Sequence, residues 1–160
     1  MRGRILHTED GLVVAEIGLL CTAVWRRDST FARVRKQRAG LAKVVASAPG
    51  KAGFFCVIEE TSAPPNDAAR KASTKMVEDH GHNLCAVACV IEGSGFRSSI
   101  VRSVASGIVM LARSKSKTPV QYFANVKEGA TWIGQFVDVG SVDTFAKEVE
   151  EVRAVLNKYS

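Results

Sequence analysis

The sequence predicts an α/β domain: a mostly parallel sheet opened by an antiparallel hairpin, with helices packed on it. Three observations carry this. Apolar runs of strand length alternate with stretches of helical periodicity. Two of those runs, Phe54 to Ile58 and Leu84 to Ile91, are apolar on both alternating faces, as strands covered on both sides are. Glu9-Asp10-Gly11 marks a tight turn between the first two, because Asp-Gly supplies the positive φ that hairpin turns need. A length of 160 residues suits one domain, and 46% hydrophobic with 24% charged residues excludes disordered, collagen-like and disulfide-scaffold classes.

Taken in order, Arg4 to Thr8 and Leu12 to Trp25 read as the hairpin strands. Asp28 or Ser29 caps a helix with Phe31, Val34, Arg38, Leu41, Val45 and Ala48 at three- and four-residue spacing, and Pro49-Gly50 ends it. The strand Phe54 to Ile58 is followed by the loop Thr61 to Pro65, and Asn66 caps a polar helix to about Asp79. After the strand Leu84 to Ile91, Gly93-Ser94-Gly95 turns into the most hydrophobic helix, which carries Ile100, Val101, Val104, Ile108, Val109 and Leu111. Pro119 to Val126 reads as a strand and Lys127 to Gln135 as a short helix. An extra C-terminal helix from about Ser141 to Tyr159 places Val142, Phe145, Val149, Val152, Leu156 and Tyr159 on a narrow seam, which suits docking on its own domain or a homodimer contact. Residues 1–137 thus form the α/β body and residues 138–160 the added helix.

The net charge is +6, and it is uneven. Residues 1–137 hold 19 Lys/Arg against 11 Asp/Glu, and residues 138–160 hold 3 against 5. Arg26, Arg27, Arg33, Arg35, Lys36, Arg38, Lys43 and Lys51 fall in a stretch whose one acid is Asp28, so the first helix has a nearly uniform positive face. Such a face draws anionic partners. An acidic protein surface is favoured, because no groove-reading motif or stacking aromatics accompany the cations as nucleic-acid binding would require. Nucleic acid and anionic membrane stand as the alternative, and a small-molecule or lipid binder with a pocket beneath the apolar helix as another. No apolar segment reaches the ~18 residues of a membrane span, and the four cysteines sit in apolar runs, so a soluble cytoplasmic protein with free thiols is expected.

Candidate chemistry is sparse. His80, His82, Cys85 and Cys89 lie within ten residues, but two cysteines four positions apart on one strand are separated by roughly 13 Å, too far to share an ion. No metal site, cofactor or catalytic constellation is therefore expected: the histidines His7, His80 and His82 stand by no recognisable nucleophile, and no Gly-x-Ser-x-Gly or phosphate-binding lysine loop occurs. Gly93, Ser94, Gly95 and Arg97 form a strand-to-helix corner that suits an anion.

The opening hairpin, the basic first helix, the strand Phe54 to Ile58, the corner Glu92-Gly93-Ser94-Gly95-Phe96 and the closing stretch Val120 to Phe136 with Lys127-Glu128-Gly129-Ala130-Thr131-Trp132 resemble the STAS fold family, the anti-sigma-factor-antagonist and SEC14-like group, over residues 4–136. The resemblance implies a non-catalytic bacterial regulatory module that binds a partner protein and is often switched by phosphorylation. The switched hydroxyl in that group follows the strand equivalent to Phe54 to Ile58. Thr61 and Ser62 match by position, with Glu60 in place of the family's aspartate and Ala63-Pro64-Pro65 where its glycine falls. The expected contact surface is Arg26, Arg27, Arg33, Arg35, Lys36 and Lys43 with the loop from Thr61 to Asn66.

Overall fold

The computed structural model describes residues 3–115 and 117–160, and the side chains of these apart from 96–98 and 111–115. Six strands, β1 (Arg4–Glu9), β2 (Leu12–Ile17), β3 (Leu20–Trp25), β4 (Ala52–Ile58), β5 (Leu84–Ile91) and β6 (Val120–Phe123), form one sheet in chain order. β1, β2 and β3 pair antiparallel, and β3 through β6 pair parallel. The chain is therefore α/β with a mixed sheet. Where one long second strand is predicted from Leu12 to Trp25, the structure has two. Gly18, at φ +58°, turns the chain with Leu19 so that Ile17 faces Leu20. The unbroken apolar run concealed this turn, since a left-handed residue that only glycine adopts readily is a weaker sequence signal than hydrophobicity.

The helices α1 (Phe31–Ser47), α2 (Asp67–His80) and α3 (Phe96–Lys115) cover one face of the sheet, and α4 (Val126–Ile133) and α5 (Val142–Ala154) cover the other. Thr30, rather than Asp28 or Ser29, caps α1 by accepting from the Arg33 N–H, while Asn66 caps α2 as its sequence predicts. On the α1–α3 face, Leu12, Val14, Cys21, Ala23, Trp25, Phe54 and Cys56 meet Val34, Leu41, Val44 and Met76. On the other, Val13, Val24, Phe55, Val57 and Val90 meet Ala130, Ile133, Phe145, Val149 and Val152. Phe55 and Phe145 pack edge to face at 5.0 Å, which joins β4 to α5. The C-terminal seam is thus consumed within the chain. Phe145, Val149, Val152 and the following Leu156 are at most 1% exposed and have no surface to offer a second copy.

One predicted alternation fails. Leu84 to Ile91 is read with Cys85 and Cys89 on one face, yet Ala52 pairs with Leu84 while Gly53 pairs with Ala86, leaving Cys85 as an extra residue in β5. That bulge shifts the phase. Cys85 packs with Ala86 toward α4 and α5, and Cys89 faces α1–α3. Val87 and Cys89 are only half-buried.

Candidate functional site

Two features on the α1–α3 side bear on function: the cationic outer surface of the helices and an apolar cavity beneath them. The surface is smaller than the sequence predicts. Arg26 donates to both carboxylate oxygens of Glu59, at 2.7 and 3.2 Å, and to Asn157. Arg27 reaches Asp10 at 3.2 Å, and Arg33 donates to the Asp28 carbonyl and lies 3.6 Å from Glu9. These three charges are matched within the fold. Arg35, Lys36 and Lys43 are exposed and have no ion pair among the described residues; Arg35 lies over the Phe31 ring at 5.9 Å. Phe31, expected in the core stripe of α1, is 49% exposed, and Gln37 is buried in its stead.

The free cations gain neighbours that are remote in sequence. Between α1 and α2 runs a groove of about 410 Å³ lined by Phe31, Arg35, Arg38, Lys71, Ala72 and Lys75. Asp79 pairs with Arg38 and Lys75, while Arg35 and Lys71 are exposed and have no ion pair among the described residues. Charge is also divided by the sheet: α1 and α3 contain no acidic residue, whereas α5 contains Asp143, Glu148, Glu150 and Glu151. The excess of cations on α1, beside an α2 whose three acids balance its three Lys and Arg, makes the α1 side the one an anionic surface would approach.

The loop residues do different work from one another. The Thr61 hydroxyl donates to the Arg26 carbonyl and the Ser62 hydroxyl to the Arg27 carbonyl, each at 2.8 Å, clamping the loop after β4 to the loop after β3. Ser62 is 1% exposed and Thr61 lies at the surface. At the β5–α3 corner, Gly93 has φ +91° and packs against Glu60, whose Cγ would stand 2.5 Å from a Cβ at that position. A carboxyl side chain against the loop opposes a bound anion there. The glycine serves the turn and this close approach; the Arg97 side chain lies outside those described.

Beside the corner, a half-buried charge cluster closes the carboxyl ends of the parallel strands. Arg153 of α5 donates to both oxygens of Glu92, at 2.6 and 2.7 Å, and to Glu59 at 3.1 Å. Its pKa is raised further above the usual arginine range, chiefly by the hydrogen bonds to Glu92. Among the described residues no group of three His, Cys, Asp or Glu side chains is placed to hold a metal ion. His80 ends α2 and His82 lies in the short 3₁₀ turn Gly81–Asn83, with His80 lowered from its ordinary pKa by burial and then by Arg38.

The cavity lies under α3, against β4, β5 and the inner sides of α1 and α2. Its volume is about 130 Å³, and Leu41, Cys56, Met76, Cys89, Val101 and Ala105 are among its walls. Trp25, Ser29, Gln37, Ser73 and Thr118 bring N–H or O–H groups to its lining, and among the described residues no charged side chain lines it. Trp25, in its wall, is 3% exposed, and its indole Nε1 donates to Gln37 Oε1 at 2.6 Å. Cys56, in the cavity wall, and Cys21, packed on the same face of the sheet, are weaker acids than a free thiol. Burial pushes Cys21 up to about 12, and hydrogen bonding to Cys89 followed by burial raises Cys56 well above its ordinary value.

Comparison of the chain with protein-family models, curated proteins and solved structures finds no match. No helix among the described residues is long and apolar enough to cross a membrane.

Sequence reasoning missed Lys71 and Lys75; it offered a pocket beneath the apolar helix as an alternative, without its walls or its size. The two lysines look like ordinary members of a polar helix until α2 lies alongside α1, and a void between side chains leaves no trace in hydrophobic periodicity.

Proposed function

We propose that this chain is a non-catalytic protein-interaction module of STAS type, acting in bacterial regulation, whose α1–α2 face captures an acidic partner. The observation that carries the reading is the groove in which exposed Phe31 is flanked by Arg35 and Lys71. An aromatic anchor ringed by cations suits an acidic segment that brings one apolar side chain with it. The charge division across the sheet supports the same reading. The contact set expected from sequence changes accordingly: Arg35, Lys36 and Lys43 stay in it, Arg26, Arg27 and Arg33 leave it, and Lys71 enters, while Lys75 lines the groove paired with Asp79.

The test is affinity capture from the host's extract with the intact chain and with a triple variant, Arg35→Glu, Lys36→Glu and Lys71→Glu, followed by titration of the purified, identified partner. The expected result is loss of at least tenfold in affinity with an unchanged unfolding midpoint. Equal affinity of the two chains overturns the reading. Tight, strongly salt-dependent binding to random duplex DNA or to anionic vesicles, with no protein captured, transfers it to the nucleic-acid or membrane class.

A further inference from the structure

We infer that the cavity beneath α3 is a binding site for a small, uncharged, ring-sized apolar molecule carrying one hydrogen-bond acceptor, which Gln37 Nε2 would meet. Size comes first. The space measures about 130 Å³, and an apolar cavity of ~150 Å³ takes up a benzene ring. Among the described residues the lining holds no charged side chain, which favours a neutral guest.

The acceptor follows from the orientation of one amide. Trp25 Nε1 can only donate, so the Gln37 carbonyl oxygen must face it, and their 2.6 Å contact holds it there. The amide nitrogen is thereby turned the other way, where it donates to Met76 Sδ at 3.4 Å. A thioether is a weak acceptor, and methionine is the most adaptable apolar side chain. A buried amide, 4% exposed, thus has its N–H group on the poorest partner available, in the wall of an apolar space. A ketone or ether oxygen entering the cavity would displace Met76 and bind Nε2 more strongly.

Val104 and Ile108 line both this space and an outer groove of about 350 Å³ between α2 and α3. Gly107, beside them in α3, leaves open space where a side chain would stand.

The test uses two molecules of the same shape, cyclohexanone and methylenecyclohexane, titrated into the full chain while the backbone amide resonances of Met76, Cys89 and Ala105 are followed. Both are expected to move these resonances. In Gln37→Met the ketone should lose roughly fivefold to tenfold in affinity relative to the alkene. Ala105→Leu, which fills the space, should abolish binding of both while raising the unfolding midpoint. If neither molecule shifts the resonances at saturation in water, or if folded Ala105→Leu binds both unchanged, the site does not exist. An unaltered ketone preference in Gln37→Met removes the acceptor's role, and should that variant not fold, the intact chain and Ala105→Leu decide the matter. None of these measurements depends on the outer cations, so the cavity and the partner surface stand or fall separately.

Discussion

Arg153 holds Glu92 by both carboxylate oxygens and reaches Glu59 with the same guanidinium, tying the end of α5 to the carboxyl ends of β4 and β5. Both acids are largely shielded from water, so removing the cation deprives Glu92 of its bidentate partner and leaves Glu59 to Arg26. Arg153→Met should therefore cost about 3 kcal/mol in urea unfolding, near the lower end for a broken buried pair because Glu59 keeps its bond to Arg26. Arg153→Lys should restore less than half of that, since an ammonium cannot bind a carboxylate bidentately.

The Trp25–Gln37 bond allows a cycle with opposite signs. Gln37→Leu leaves the indole N–H buried without an acceptor and should cost about 2 kcal/mol, whereas adding Trp25→Phe removes the orphan donor and should regain at least half of it. Chemical denaturation of the four proteins measures the coupling. Additive losses would mean that the bond contributes nothing.

Two helical glycines should respond to alanine in opposite directions. At Gly40 in α1, a Cβ would come within 2.6 Å of Val14 Cγ1 on β2, so Gly40→Ala should destabilise by about 1–3 kcal/mol despite its better helix propensity. At Gly107 in α3 nothing lies within 4 Å, and Gly107→Ala should stabilise by about 0.5–1 kcal/mol. Thermal unfolding of both variants distinguishes them; the same sign for both would contradict the packing of α1 on β2.

The buried thiols predict a pH dependence. Cys21 has its ordinary value near 9.0 when unfolded and is pushed up to about 12 by burial when folded. Its contribution is intact below pH 9 and is lost as pH rises toward 12, because the unfolded chain releases the proton first. Stability should fall between pH 9 and 10.5 with a slope steeper than that of Cys21→Ala by about 1 kcal/mol per pH unit. Urea unfolding of both proteins across this range is the measurement, and parallel slopes would show the thiol to be solvated.

The features legible in the sequence share a physical cause. Periodic burial sets helix and strand, so the α3 stripe, the C-terminal seam and the strand β4 can be read directly. A capping side chain acts within three residues, so Asn66 declares the start of α2. Features that depend on one backbone torsion or on an insertion in one partner were hidden. Gly18 splits an unbroken apolar run, and the Cys85 bulge becomes visible only against Ala52 and Gly53.

For the functional surface the division is sharper. By itself the sequence determined an α/β chain with apolar segments for a two-sided core, capped helices and an excess of cations in the segment around α1, because these properties belong to neighbouring residues. Only the tertiary structure decided which cations remain available. Glu59, Asp10 and Glu9 come to Arg26, Arg27 and Arg33 from other strands and turns, while Lys71 and Lys75 come to Arg35 from another helix. The cavity likewise arises where α3 meets two other helices across the sheet, and the amide that gives it polarity is aimed by an indole twelve residues away. Charge pairing and empty volume are properties of residues brought together by folding, so no local pattern encodes them.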